Sequence, residues 1–240
     1  KLLLDSSIFS YKINLILKLI NFIFYRDNKK HIGYRLLNCL INLGPGYIKF
    51  GQALSTRPDI MGQETCEYLK KLQDDIKPFS SLTAKKIIEC ETERLVEDIF
   101  NNFNEKPIAT ASVAQVHFGI LKSGEKVAIK LLKPNIKKIL FRDFVFFYWI
   151  TKCIEFCIPK INRLKLSKNV EVLSEISLNE LDLTMEAAAA DELADNFKNH
   201  PQYRVPKIYW ELTSKKMLVL EYIEGIKIDD VSKLKKDKHN

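Results

Sequence analysis

The stretch "PIATASVAQVHFGILKSGEKVAIKLLKP", Pro107 to Pro134, governs how the rest of the chain is read. Val116, Phe118 and Ile120 alternate along it, "KSGEK" makes a turn, and Val127, Ile129 and Leu131 alternate again. A period of two on both sides of a turn predicts a β-hairpin, and Pro134 ends its second strand. Successive strand side chains point to opposite faces, so Ala128 and Lys130 share one. A small residue beside a lysine suits an adenine ring lying flat with its phosphates reaching the ammonium. A buried ammonium also requires a carboxylate partner to stay charged without a large desolvation cost.

The letters V-A-I-K are those of a protein kinase's third strand, which would make Lys130 the phosphate-holding lysine. Kinases place a glycine-rich loop about fifteen residues earlier, where its backbone covers the phosphates. Here that position holds Ala109, Thr110, Ala111 and Ser112, and the next glycine is Gly119. Either the four letters are coincidence or the phosphate loop is rebuilt around alanine.

Outward from the hairpin, the chain before it reads as helical. In "IFSYKINLILKLINFIFY", residues 8–25, a narrow polar stripe of Asn14, Lys18, Asn21 and Tyr25 predicts one helix that packs into a core or lies in a membrane interface. A further helical stretch comes after "RDNKKH". Gly44, Pro45 and Gly46 punctuate the chain, and helices are expected over 63–76 and 83–100. After the hairpin, helical patterns run over about 135–157 and 168–198, and "KIYWEL" and "KMLVLEYI" read as two more strands. Helices, then strands with a helical insert, then strands again make an α+β fold.

Composition narrows the function classes. The net charge of +8 is mostly lysine spread along the chain, without an arginine block or an interleaved aromatic platform. That favours a solvated surface, with an anionic membrane as the second reading, and no nucleic-acid partner is expected. Five cysteines without a C-x-x-C point to reduced thiols and no metal site. No run reaches the roughly 18 apolar residues of a membrane span. The chain begins without methionine and ends in "KLKKDKHN", which is expected of a piece of something longer.

The helix from Ser167 offers Glu175, Glu180, Asp182 and Glu186 as partners for Lys130. Asp182 and Glu186, four apart, would share a face, with Glu180 about a third of a turn away. Several carboxylates near one lysine repel, so a second cation is expected; solvated surface acids are the alternative. The final strand "MLVLEYIEG" has the form of a kinase hinge, with Glu221 followed by a linker.

Four motifs in order carry a resemblance to the UbiB family, the atypical protein-kinase-like proteins of ubiquinone biosynthesis. "KFGQ", Lys49 to Gln52, matches the family's K-x-G-Q. "ATASVAQVH", Ala109 to His117, matches its alanine-rich loop. "ELD", Glu180 to Asp182, matches its E-x-D and is followed by the helix C glutamate, Glu186, in "MEA". "VAIK" supplies Lys130. The resemblance spans residues 30 to 230, and it makes the alanine loop the family's own replacement for glycine.

The resemblance implies a helical extension over 1–106 and a kinase-like N-lobe over 107–240, an antiparallel sheet plus helix C, with the C-lobe absent. Lys130 would hold ATP phosphates and pair with Glu186, while Lys49 would pair with Glu180. Gln52 and Asp182 belong to the same catalytic set. Ala109, Thr110, Ala111, Ser112 and Val113 would cover the phosphates, Ala128 would lie against adenine, and Glu221, Tyr222 and Ile223 would offer it backbone groups. ATP and Mg2+ are the implied cofactors, although no H-x-D-x-x-x-G-N or D-F-G occurs in these 240 residues to ligate the metal. The chain alone is therefore expected to be inert. In the family, K-x-G-Q occludes the protein-substrate site, which favours ATP hydrolysis or a lipid-linked or other small-molecule role. Ubiquinone-biosynthesis proteins, lipid or quinone intermediates and a membrane surface are the implied partners. The implied location is peripheral, on the cytoplasmic face of a bacterial inner membrane, or cytoplasmic. The alternative is a truncated, non-catalytic nucleotide-binding module or a membrane-peripheral scaffold.

Overall fold

The computed structural model describes residues 31–73 and 78–226, with Lys233 and Lys236 beyond them. The expected helix over 8–25 and the end of the one over 63–76 lie outside the described residues. In chain order come helices α1 (Ile32–Leu43), α2 (Pro45–Ser55), α3 (Pro58–Met61) and α4 (Gln63–Lys70), the last running into a 3-10 turn, Lys71–Gln73. Next are α5 (Ser81–Thr92), α6 (Val96–Ile99), β1 (Phe100–Phe103), β2 (Ala109–Thr110), β3 (Ala114–Leu121) and β4 (Lys126–Leu132). Helix α7 (Ile136–Cys157), a 3-10 turn (Pro159–Leu164), α8 (Leu166–Asn179), α9 (Leu183–Asn196), a 3-10 turn (Trp210–Leu212) and β5 (Met217–Glu221) complete the order.

These elements form two compact units, each assembled from three stretches of chain. The first takes residues up to Phe79, then Ala109–Gln115 and Leu132–Leu181. The second takes Ser80–Ile108, Val116–Leu131 and the chain from Asp182 onward.

In the first unit, Leu37, Leu40, Ile48, Leu69 and Leu72 form a buried cluster uniting α1, α2, α4 and the 3-10 turn at its end. Pro45 opens α2 at a position where a missing N–H costs nothing. Ile136, Leu140 and Phe144, spaced by four along α7, are buried, which is the helical period seen in the sequence. In the second unit the strands run in the order β1-β3-β4-β5. β4 and β5 are antiparallel, with Ala128 opposite Leu220 and Lys130 opposite Leu218.

Three sequence expectations require correction. The helix over 83–100 stops at Thr92, because Glu93 adopts the left-handed region (φ 55°), and the chain resumes as the short α6 and then β1. The helix over 168–198 is two helices. Asp182 leaves the helical region and accepts a hydrogen bond from Thr184 N at 3.1 Å, so it caps α9 and does not share a helical face with Glu186. "KIYWEL" forms no regular strand: Ile208 makes an isolated bridge to Leu220, and the chain then tightens into a 3-10 turn. In β3, moreover, the fully buried side chains include Gln115 and His117, while Val116, Phe118 and Ile120 are only half-buried.

Candidate functional site

Each unit holds one of the two expected lysine–carboxylate pairs. In the second unit, Lys130 on β4 donates to both carboxylate oxygens of Glu186 on α9, at 2.9 and 2.6 Å. Lysine has three N–H donors, so one remains for an anion. The lysine side chain is 27% exposed and the glutamate 49%. The phase of α9 is set by its cap, since Glu186 stands one turn beyond Asp182. The hydrogen bond from the Thr184 side chain holds the Asp182 carboxyl below its ordinary range, helped by Lys215 at 3.8 Å. The second cation beside the acidic segment is therefore met twice, by Lys215 here and by Lys49 in the other unit.

Beside Lys130, Ala128 lies in register with Leu220, so small and branched side chains neighbour each other on one sheet face. At the hinge, Glu221 N donates to Lys207 O at 2.8 Å and Tyr222 N to Lys126 O at 3.0 Å. Of the three hinge residues, only the Ile223 N–H has no hydrogen bond among the described residues. The Glu221 side chain is held by Arg204 and by Lys207 N. The Tyr222 ring meets Phe118 of β3 edge-on, with centroids 4.9 Å apart. Leu220 and Arg204 were not singled out in the sequence, and Phe118 was named there only as a strand residue. Leu220 could have been found from strand register, but Arg204 gives no local signal.

In the first unit, Lys49 on α2 forms an ion pair with Glu180 at the end of α8. The remaining letters of K-x-G-Q serve packing. A Cβ on Gly51 would fall 2.4 Å from Leu72 Cδ1 and 2.6 Å from Leu40 Cδ1. The Gln52 side-chain amide donates to Leu72 O at 3.0 Å. The start of α2 is gripped by α7. Gly46 N donates at 3.3 Å to Oδ2 of Asp143, a carboxylate only 2% exposed, whose other oxygen accepts from Arg142 Nη2 at 3.2 Å. An anion at a helix N-terminus meets the free N–H groups and the positive end of the dipole. The Phe147 ring packs on Tyr47 and Phe50, with centroids 4.7 and 5.1 Å apart.

The alanine-rich segment also belongs to this unit. Ala111 N donates to Ala114 O at 2.8 Å and Lys133 N to Val113 O at 2.8 Å. Ser112 and Val113 are buried, and their own N–H groups carry no bond among the described residues. Gln115 anchors the start of β3, accepting from Phe79 N at 3.0 Å. Of the sequence-designated residues, the structure pairs Lys130 with Glu186 and Lys49 with Glu180. It assigns Asp182 to a cap and Gln52 to a backbone carbonyl.

Known proteins resemble this chain. Residues 71–240 match the ABC1 atypical kinase-like domain. A protein of Marinobacter nauticus named probable protein kinase UbiB is 42% identical over 204 residues, covering 85% of this chain and 37% of its own length. A protein of the same name from Pseudomonas fluorescens is 38% identical over 206 residues, covering 84% of this chain and 38% of its own. A Mycobacterium tuberculosis protein solved as a complex with erythromycin superposes with a TM-score of 0.50 at 26% identity, over 92% of this chain and 52% of its own. The chain thus spans less than two-fifths of the length of these curated relatives. With Lys130 of VAIK paired to Glu186 and Lys49 of K-x-G-Q paired to Glu180 of E-x-D, the chain belongs to the ABC1 atypical kinase-like family and fits its UbiB members.

Proposed function

We propose that these 240 residues are the extension and N-lobe portion of a UbiB-like atypical kinase or ATPase that supports ubiquinone biosynthesis, and that they bind ATP. The extension covers residues 1–106 and the lobe 107–240. The observation that carries this reading is the bidentate grip of Glu186 on Lys130, which holds an ammonium extended beside Ala128 with one donor to spare. Adenine would take the Ile223 N–H, because those of Glu221 and Tyr222 are already used in the sheet. The family pattern assigns phosphate to the Ala109–Val113 turn, which offers the Ser112 and Val113 amides. Lys49 acts as the partner of Glu180, and Gln52 as a brace rather than a reacting group.

ATP with Mg2+ is the cofactor pair of kinase-like proteins. Lys130 fits the phosphate end of such a ligand, and the metal would supply charge neutralisation there. The residues that would ligate it belong to motifs that these 240 residues do not contain, so binding without turnover is the expected behaviour of this chain. Its place is peripheral, on the cytoplasmic face of a bacterial inner membrane, or cytoplasmic, with quinone-pathway proteins or lipid-linked intermediates as partners.

Calorimetric titration with Mg-ATP, beside a Lys130→Ala control, tests the reading. Weak binding that disappears in the control supports it. Equal heats in both would overturn the role of Lys130, and steady ATP hydrolysis would overturn the absence of turnover.

A further inference from the structure

The α7–α8 hairpin of the first unit ends in a tip whose chemistry the nucleotide reading leaves unused. Phe156, in the last turn of α7, is 87% exposed, and Trp149, two turns earlier, is 63% exposed. At 100° per residue, Trp149, Lys152 and Phe156 fall within about 60° of one another, on one face. The adjoining 3-10 turn and its flank add Lys160, Arg163, Lys165 and Lys168, all exposed. Between residues 152 and 168 the sole acid is Glu155, whose carboxylate accepts from Ser167 N at 3.0 Å and Ser167 Oγ at 2.9 Å. Lys168 pairs with Glu171 at 3.0 Å, and the other four cations make no ion pair among the described residues. The charge then changes sign: Glu171 and Glu175 on α8 line an apolar groove with Phe141 and Val145.

Lys152 lies over the Tyr148 ring, 5.4 Å from its centroid, and cations without an ion pair around large exposed aromatics describe an amphipathic surface. Acidic proteins would satisfy the cations but leave Phe156 and Trp149 in water. The boundary between headgroups and acyl chains accommodates both, since aromatic rings settle there while lysine and arginine stems reach back to the phosphates. No helix among the described residues is long and apolar enough to cross a membrane. We propose that this tip docks on an anionic lipid surface, with Trp149 and Phe156 at the acyl boundary and Lys152, Lys160, Arg163 and Lys165 on headgroup phosphates. The carboxylates of the adjoining groove confine the contact to the tip. The inference gives the peripheral location proposed above a surface, and it does not depend on the nucleotide reading.

The chain has two tryptophans, so Trp210→Phe leaves Trp149 as the only indole reporter. The 240-residue chain is mixed with phosphatidylcholine vesicles with and without phosphatidylglycerol, some carrying brominated acyl chains. The expected result is a blue shift and bromine quenching of Trp149 on phosphatidylglycerol vesicles alone. Each neutralised charge weakens binding about fivefold. Lys160→Gln, Arg163→Gln and Lys165→Gln together therefore weaken it about a hundredfold, and Phe156→Ser reduces the quenching. Four results would overturn the proposal: equal binding to neutral vesicles, undiminished binding by the triple variant, binding without quenching of Trp149, or no vesicle binding by a tip that instead holds two copies of the chain together in sedimentation. Mg-ATP titration of the same variants should match that of the parent chain, which keeps the fate of this surface separate from that of the nucleotide site.

Discussion

Replacing Gly46 with alanine tests how α2, and with it Lys49, is held. The added Cβ would lie 2.5 Å from Asp143 Cβ and 2.8 Å from its Oδ2. The first of these atoms is fixed to the α7 backbone, so no side-chain rotation relieves the overlap. The helices must part by about an ångström to regain ordinary contact. The Gly46 N to Asp143 Oδ2 bond, already 3.3 Å long, then breaks. Overpacking costs about 1–3 kcal/mol and a hydrogen bond to a charged group about 1.5–3 kcal/mol. Because this bond is long and Arg142 shares the carboxylate, the lower half of each range applies, about 3 kcal/mol in all. At about 2–4 °C per kcal/mol for a chain of this size, the midpoint falls by about 6–12 °C. Asp143→Ala removes the bond alone and costs about 2 kcal/mol. The double variant should lose about 3–4 kcal/mol rather than the sum, because one bond is counted in both single changes. Thermal unfolding by circular dichroism gives the magnitudes, and amide exchange along α2 shows that the loss is local. A Gly46→Ala midpoint within about a degree of the parent, or full additivity in the cycle, would refute the argument.

Three further outcomes are expected. Lys130→Met should lower stability by less than about 1 kcal/mol, because its ion pair is half in water, while abolishing the ATP heat; a loss of several kcal/mol in urea titration would make the lysine structural. His117 is fully buried with Nδ1 2.9 Å from Asn104 O, and burial pushes its pKa below the ordinary value. Its contribution is complete above about pH 6.5 and is lost as pH falls through the lower folded value, so urea midpoints should decline over that window in the parent and less in His117→Gln; equal slopes would refute the assignment. Burial pushes the Glu91 carboxyl up, but hydrogen bonds from Lys216 and Ser214 outweigh it and leave the pKa lowered. Lys216→Met should raise that pKa by NMR titration and cost up to about 1 kcal/mol above pH 4.5, a loss that disappears as pH falls through the folded value; an unmoved carboxyl resonance would refute it.

The hairpin that carries Lys130 and the whole of α7 were legible in the sequence, because in each the period is repeated by several residues. The E-x-D break was legible in principle, since Asp182 followed by Thr184 is a capping pattern, but the alanine-rich helix after it masked the interruption. β1 carries only Phe100–Phe103, with two asparagines in the middle, too short for alternation to register. "KIYWEL" has strand composition, yet it continues as a 3-10 turn, and propensity alone does not decide between them. The lysine pairs came from family resemblance rather than from spacing. The grip of Asp143 on Gly46 had no sequence signal, as the two are 97 residues apart and each looks ordinary: a turn glycine and a helical aspartate.

That separation has a consequence for synthesis. A ribosome adds roughly 5–20 residues per second. By that clock the carboxylate that caps α2 is made about 5–20 s after Gly46, and Glu180, which is 131 residues beyond Lys49, arrives later still. Until then Tyr47 and Phe50 have no Phe147 to cover them. The second unit's first stretch, Ser80–Ile108, emerges in the interval and waits in turn for strands and helices not yet translated. Neither unit can close in the order in which it is made. Nascent chains stalled between residues 80 and 130 should therefore engage holdase chaperones through α2, and release should come once α7 has cleared the exit tunnel.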